Sequence, residues 1–210
     1  MKEIKIRVTF TEEVLGSLPS DEEIYRNYIA SKAPDAATIE QEVEAVGVDE
    51  VAEKQMTVFA KTADGKPFVY DYQWRGFFKE MCGILKKIPG TESSLVTQNK
   101  KLIDDYVFIK ERMIPINTNG LKMGVCQRPL RAETALGPRT ALAISESVPE
   151  GSTVEFTVTL VLEKGKAKKG SDKAPDYEKA LYEWLDYGKL KGFGQWRNSG
   201  KGRFDYEIIG

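Results

Sequence analysis

The sequence predicts an α+β protein: an antiparallel sheet with two helices on one face. Three observations carry this. The chain opens and closes on stretches where apolar and charged residues alternate. Ile4, Ile6, Val8 and Phe10 do so at the start and Phe204, Tyr206 and Ile208 at the end, the period of a half-buried strand. Two segments, around Trp74 and around Trp184, place apolar residues at helical spacing. Two further strand-like runs lie between those helices, so the core order is β-α-β-β-α-β.

The elements follow in order. After a strand at about 3–10, "SDEE" (Ser20–Glu23) and "TIEQ" (Thr38–Gln41) have capping-box form. They predict short helices at about 21–30 and 39–46, the second ended by Gly47, in an acidic insertion spanning residues 12–55. "MTVFA", the turn "ADG" and "PFVY" predict a hairpin at about 56–70. Trp74, Phe77, Phe78, Met81, Leu85 and Ile88 form the apolar stripe of a helix at about 73–87. Gly76 and Gly83 interrupt that helix at a cost of about 1 kcal/mol each, which suggests close approach of a backbone or ligand.

Residues 89–102 read as a polar loop, and "DYVFIKERMIPI" as a strand at about 105–116. Residues 117–147 form a glycine-punctuated, hairpin-like insertion, marked by Pro129 and the Gly137–Pro138 step. "STVEFTVTLVLE" predicts a strand at about 153–162. A basic loop follows, then a helix at about 175–187 ended by Gly188 and a last strand at about 202–209. This order is ferredoxin-like, in one domain with two insertions. Its second sheet face would need cover from an insertion or a ligand.

Composition narrows the chemistry. The chain has 210 residues, 30% of them charged, no histidine and only Cys82 and Cys126. Without histidine there is no Ser/His or Cys/His dyad and no His-ligated zinc, and two cysteines cannot build a four-thiolate site. No metal or other cofactor is expected, and no catalytic residue is assigned. Two well-separated cysteines suggest free thiols in a reducing cytoplasm. No apolar run is long enough to cross a membrane, and the N-terminus reads as a strand rather than a signal peptide.

Charge is uneven along the chain. Residues 1–55 hold 13 acids against 6 bases, and residues 56–210 hold 25 bases against 19 acids. "KGFGQWRNSGKGRF", residues 191–204, has four bases, four glycines and no acid. Gly192, Gly194, Gly200 and Gly202 would leave backbone N–H groups bare for an anion. Lys191, Arg197, Lys201 and Arg203, with Lys189 just before them, add cations. Phe193 and Trp196 either stack on bases or tuck into the core. Arg75 and Lys79, one turn apart near a helix start, are further phosphate candidates. Arg128, Arg131 and Arg139 are candidates on charge alone.

Three segments resemble the RAMP superfamily of CRISPR-associated RNA-binding proteins, most of all the backbone subunits of effector complexes. They are "YQWRGFFKEMCGIL" (Tyr72–Leu85), "ESVPEGSTVEFTVTL" (Glu146–Leu160) and the glycine-rich stretch Gly188–Tyr206. The resemblance implies a ferredoxin-like fold, a basic position at Arg75, and a glycine-rich loop facing RNA. Residues 12–55 have no counterpart in it, and the chain is also similar to uncharacterised prophage proteins. The expected function is non-catalytic binding of RNA or single-stranded nucleic acid, with protein partners or self-assembly in a ribonucleoprotein. The alternatives are a prophage interaction protein that blocks or joins a host defence complex, and a metal-independent endoribonuclease.

Overall fold

The computed structural model describes residues 1–20, 56–134, 137–167 and 173–210, with the side chains of 130–142 left aside. The helices expected at 21–30 and 39–46 lie outside the described residues. The first strands are β1 (Lys2–Phe10), β2 (Val14–Leu15), β3 (Leu18–Pro19), β4 (Met56–Val58), β5 (Ala60–Lys61) and β6 (Pro67–Tyr70). Helices α1 (Asp71–Leu85), α2 (Glu92–Leu95) and α3 (Asn99–Tyr106) follow. Then come β7 (Val107–Ile109), β8 (Met113–Asn117), β9 (Gly124–Thr134), β10 (Gly137–Val148), β11 (Thr153–Leu160), helix α4 (Tyr177–Lys191) and β12 (Phe204–Ile208).

The main sheet runs β12-β1-β11-β8-β6-β5, with β7 pairing β11 beside β8, and every pairing is antiparallel. β1 sits between the last two strands of the chain, with Ile6 opposite Phe156 on one side and Ile208 on the other. A second sheet, β2-β10-β4-β3 with β9 on β10, hangs from it. Its β9–β10 ribbon pairs from Gly124–Ser147 out to Thr134–Gly137, and among the described residues its inner end is where it meets β2 and β4. The fold is α+β.

The alternating strands bury one face. Ile4, Ile6, Val8 and Phe10 of β1 and Val154, Phe156, Val158 and Leu160 of β11 meet Trp74, Phe78 and Met81 of α1 and Leu181, Trp184 and Leu185 of α4. At about 25 cal/mol per Å² of apolar area removed from water, this layer is the main source of stability. The opposite face needs no apolar cover, contrary to the sequence expectation. It carries polar side chains joined by ion pairs: Arg7 bonds Glu155 at 2.7 Å and Glu207 at 2.8 Å, and Lys110 lies 3.3 Å from Glu3. An antiparallel sheet can present such a face to water.

Two local readings change. Residues 89–102 are not a loop throughout: Thr91 caps α2 by accepting a hydrogen bond from the Ser94 N–H, and α3 turns Ile103 into the core. Helix α3 also takes the start of the strand expected at 105–116, which is split into β7 and β8. Helix α4 does not stop at Gly188 but runs on to Lys191. Gly188 is a contact residue instead: a Cβ there would overlap the Phe77 ring, so the missing side chain lets α1 and α4 approach. Among the described residues no helix is long and apolar enough to cross a membrane.

Candidate nucleic-acid interface

The glycine-rich stretch between α4 and β12 is tied down rather than open. Gly192, Gly194, Gly200 and Gly202 all adopt positive φ, between 72° and 87°. At Gly192 and Gly202 the reason is also close approach. A Cβ on Gly202 would overlap the Phe193 carbonyl, and one on Gly192 would meet the Lys201 carbonyl. Phe193 donates its N–H to Gly202 O at 2.8 Å, and Gly202 donates to Glu13 O at 2.9 Å. Gly192 donates to Gly188 O at 2.7 Å and Gly200 to Arg197 O at 2.9 Å. The bare N–H groups expected of Gly192, Gly200 and Gly202 are therefore used inside the fold. Close backbone packing requires glycine at Gly192 and Gly202, whereas at Gly200 the requirement is the positive φ alone.

The two aromatics of the stretch part company. Phe193 is 4% exposed and stacks on Trp74 at 4.2 Å between centroids, with Phe10 and Phe77 around it. Its expected role in base stacking is corrected: the ring belongs to the core. Trp196 remains outside, 38% exposed. Its backbone is left-handed, at φ 53° and ψ 34°, a conformation that costs a non-glycine residue on the order of 1 kcal/mol. A short 3-10 turn, Arg197–Ser199, follows and fixes that geometry.

Arg128 of β9 lies against Trp196, its guanidinium carbon 5.4 Å from the ring centroid. The side chain is buried, donating to Ser145 Oγ at 2.9 Å and to Gln195 Oε1 at 2.8 Å. It is not the solvent-facing phosphate ligand that charge alone suggested. Its partners are neutral, and among the described residues no carboxylate bonds it. Arg131 and Arg139 lie further out on the ribbon, opposite Thr140 and Ala132.

The other cations divide into engaged and open groups. Arg197 makes a two-pronged pair with Glu80 of α1, at 2.9 and 3.0 Å. Lys201 lies 2.6 Å from Glu13, and this hydrogen bond raises the pKa of the ammonium. Lys189 is 3.9 Å from Asp186. Lys191, half-buried, and Arg203, exposed, have no carboxylate partner among the described residues. Arg75 and Lys79 sit elsewhere, sharing Asp104 of α3 at 3.1 and 2.5 Å. Arg75 also lies over Phe108. The structure thus joins the inner end of the ribbon to the glycine-rich stretch and leaves the Arg75–Lys79 pair on another side of α1.

Sequence reasoning missed a hollow beside this interface. It has a volume of about 280 Å³ and is lined by Ser17, Tyr72, Gln73, Gly76, Glu80 and Arg197, among others. Gln73 closes the start of α1 by accepting from the Tyr70 N–H at 2.8 Å, and it donates to Ser17 Oγ at 2.9 Å. Gly76 is exposed, and a Cβ built on it meets nothing within 4 Å. On the α1 side the signal in the sequence was that glycine, inside an otherwise apolar-striped helix, and on the other side it was the glycine-rich stretch that supplies Gly194 and Arg197.

No family model matches the chain, and no curated protein matches it. Among solved structures it is similar to a chain of a Type IV-B CRISPR complex, with a TM-score of 0.50 and 10% sequence identity. The similarity covers 99% of this chain and 90% of that one. At that identity the likeness is one of fold.

Proposed function

We propose that this protein is a RAMP-type subunit with a ferredoxin-like core that binds RNA or single-stranded nucleic acid without cutting it, in a ribonucleoprotein assembly. One observation carries the reading. Arg128 is a buried cation whose hydrogen-bond partners among the described residues are all neutral, and it lies against a half-exposed tryptophan in a strained backbone. A buried charge without a counter-ion is costly, and so is a left-handed tryptophan. Both costs make sense if an anionic, aromatic ligand completes the site: a base on Trp196, backed by the buried Arg128, with its phosphate backbone drawn by Lys191 and Arg203. The β-α-β-β-α-β order, with its sheet order β12-β1-β11-β8, supports the ferredoxin-like reading. The likeness to a chain of a CRISPR complex supports membership of a multi-subunit particle.

The test is titration of the purified protein into labelled single-stranded RNA and DNA at several salt concentrations. Binding that weakens steeply with salt, and a slope that shrinks in the Lys191→Ala/Arg203→Ala variant, is the expected result. Affinity independent of salt, or a slope unchanged in the variant, would sink the assignment of this surface.

A further inference from the structure

The hollow between α1 and the glycine-rich stretch points to base selectivity, an inference that rests on the single-strand reading above. Glu80 faces the rim of the hollow and presents both carboxylate oxygens to the planar N–H fork of Arg197, at 2.9 and 3.0 Å. The floor beside it is bare because Gly76, one helical turn earlier, has no side chain. At about 280 Å³ the space has room for one nucleobase.

We propose that this hollow takes one unstacked guanine of the bound strand, with Glu80 accepting its N1–H and N2–H. Guanine's Watson–Crick edge carries two adjacent, parallel N–H donors. That is the arrangement a carboxylate accepts from an arginine fork. No other standard base offers it: adenine and cytosine present one amino group beside an acceptor, and uracil one N–H between carbonyls. Guanine therefore replaces Arg197 on Glu80, and the released guanidinium turns to the neighbouring phosphate. No charge is left unpaired in the exchange, since carboxylate and guanidinium each gain a partner. Gln73 and Ser17, already bonded to each other in the lining of the hollow, add polar groups for the sugar or the base rim.

The experiment compares short single-stranded RNAs of otherwise guanine-free sequence. They carry guanine, inosine or adenine at one central position and are titrated by fluorescence anisotropy against the full chain. Inosine keeps N1–H and lacks the N2 amino group, so it isolates the fork. Guanine should bind on the order of tenfold more tightly than inosine. Glu80→Gln should bring that ratio to about one while tightening guanine-free RNA, because Arg197 is released. Gly76→Leu, which fills the hollow from a position with room for a side chain, should also bring the ratio to about one. It serves if the first variant misfolds. Equal binding of guanine and inosine, or a ratio that survives Gly76→Leu, overturns the proposal. RNA binding without base preference removes this inference alone, whereas absence of any RNA binding removes the interface as well.

Discussion

Arg128 and Trp196, 68 positions apart in the chain, meet with the guanidinium carbon 5.4 Å from the indole centroid. The contact joins the inner end of the β9–β10 ribbon to the stretch between α4 and β12. It turns two separate basic segments into one surface. Gln195 and Ser145 hold the arginine in place, so the indole is presented from a fixed support.

Replacing Arg128 with methionine separates stability from binding. A buried cation without a counter-ion contributes little to folding, and Ser145 keeps its 2.7 Å hydrogen bond to Thr57. The unfolding free energy should stay the same or rise by up to about 2 kcal/mol. Affinity for single-stranded RNA should fall roughly tenfold, as the charge behind Trp196 is lost. Urea denaturation and anisotropy, run on the same preparation, measure both.

Trp196→Gly should act in the same direction by a different route. Glycine tolerates the left-handed backbone, so stability should change by less than about 1 kcal/mol. Loss of the stacking surface should weaken RNA binding by about 1–3 kcal/mol. An unchanged affinity would show that the indole does not touch the ligand.

Two glycine substitutions should have opposite signs. Gly202→Ala must displace the Phe193 carbonyl and keep a φ of 72°, so it should destabilise the fold by about 2–4 kcal/mol. Gly76→Ala meets nothing within 4 Å in the middle of α1 and should stabilise by about 0.5–1 kcal/mol. Thermal and urea melts of the two variants settle the contrast.

Alkaline pH should weaken the fold through Cys82. Burial pushes its thiol up to about 11 from an ordinary value of 9.0. The unfolded chain therefore loses this proton first, and stability falls as pH rises from about 9 to about 11, by roughly 2 kcal/mol. Cys82→Ala should flatten that part of the curve. Cys126 is only half-buried and should react first with a thiol reagent at pH 8.

Much of the fold is legible in local pattern. The alternation in β1 and β11 and the stripes of α1 and α4 state directly which residues face a core, because burial demands one face per strand or helix; in β12 only Phe204 is buried and Ile208 is exposed, and Ile88 lies exposed beyond the end of α1. Helices α2 and α3 were missed because their cues are polar. Thr91 as a cap and a buried Ser93 look like loop residues until Glu183 and Trp184 of α4 are placed beside them. The candidate site was legible as a segment and not as a surface. Its charge and glycines mark residues 188–204, yet no local rule tells Phe193 from Trp196.

The sequence by itself determined an α+β protein with its first and last strands in one sheet, and a basic glycine-rich stretch before the last of them. Tertiary structure decided how that stretch is held. Ion pairs with Glu13 and Glu80 occupy Lys201 and Arg197, close backbone contacts use the glycine N–H groups, and a left-handed turn sends one aromatic inward and the other out. The physical reason is range. Periodicity reports burial over a few neighbouring residues, whereas counter-ions, close approaches and presented rings are made between distant segments, as between Glu13 and Lys201, 188 positions apart.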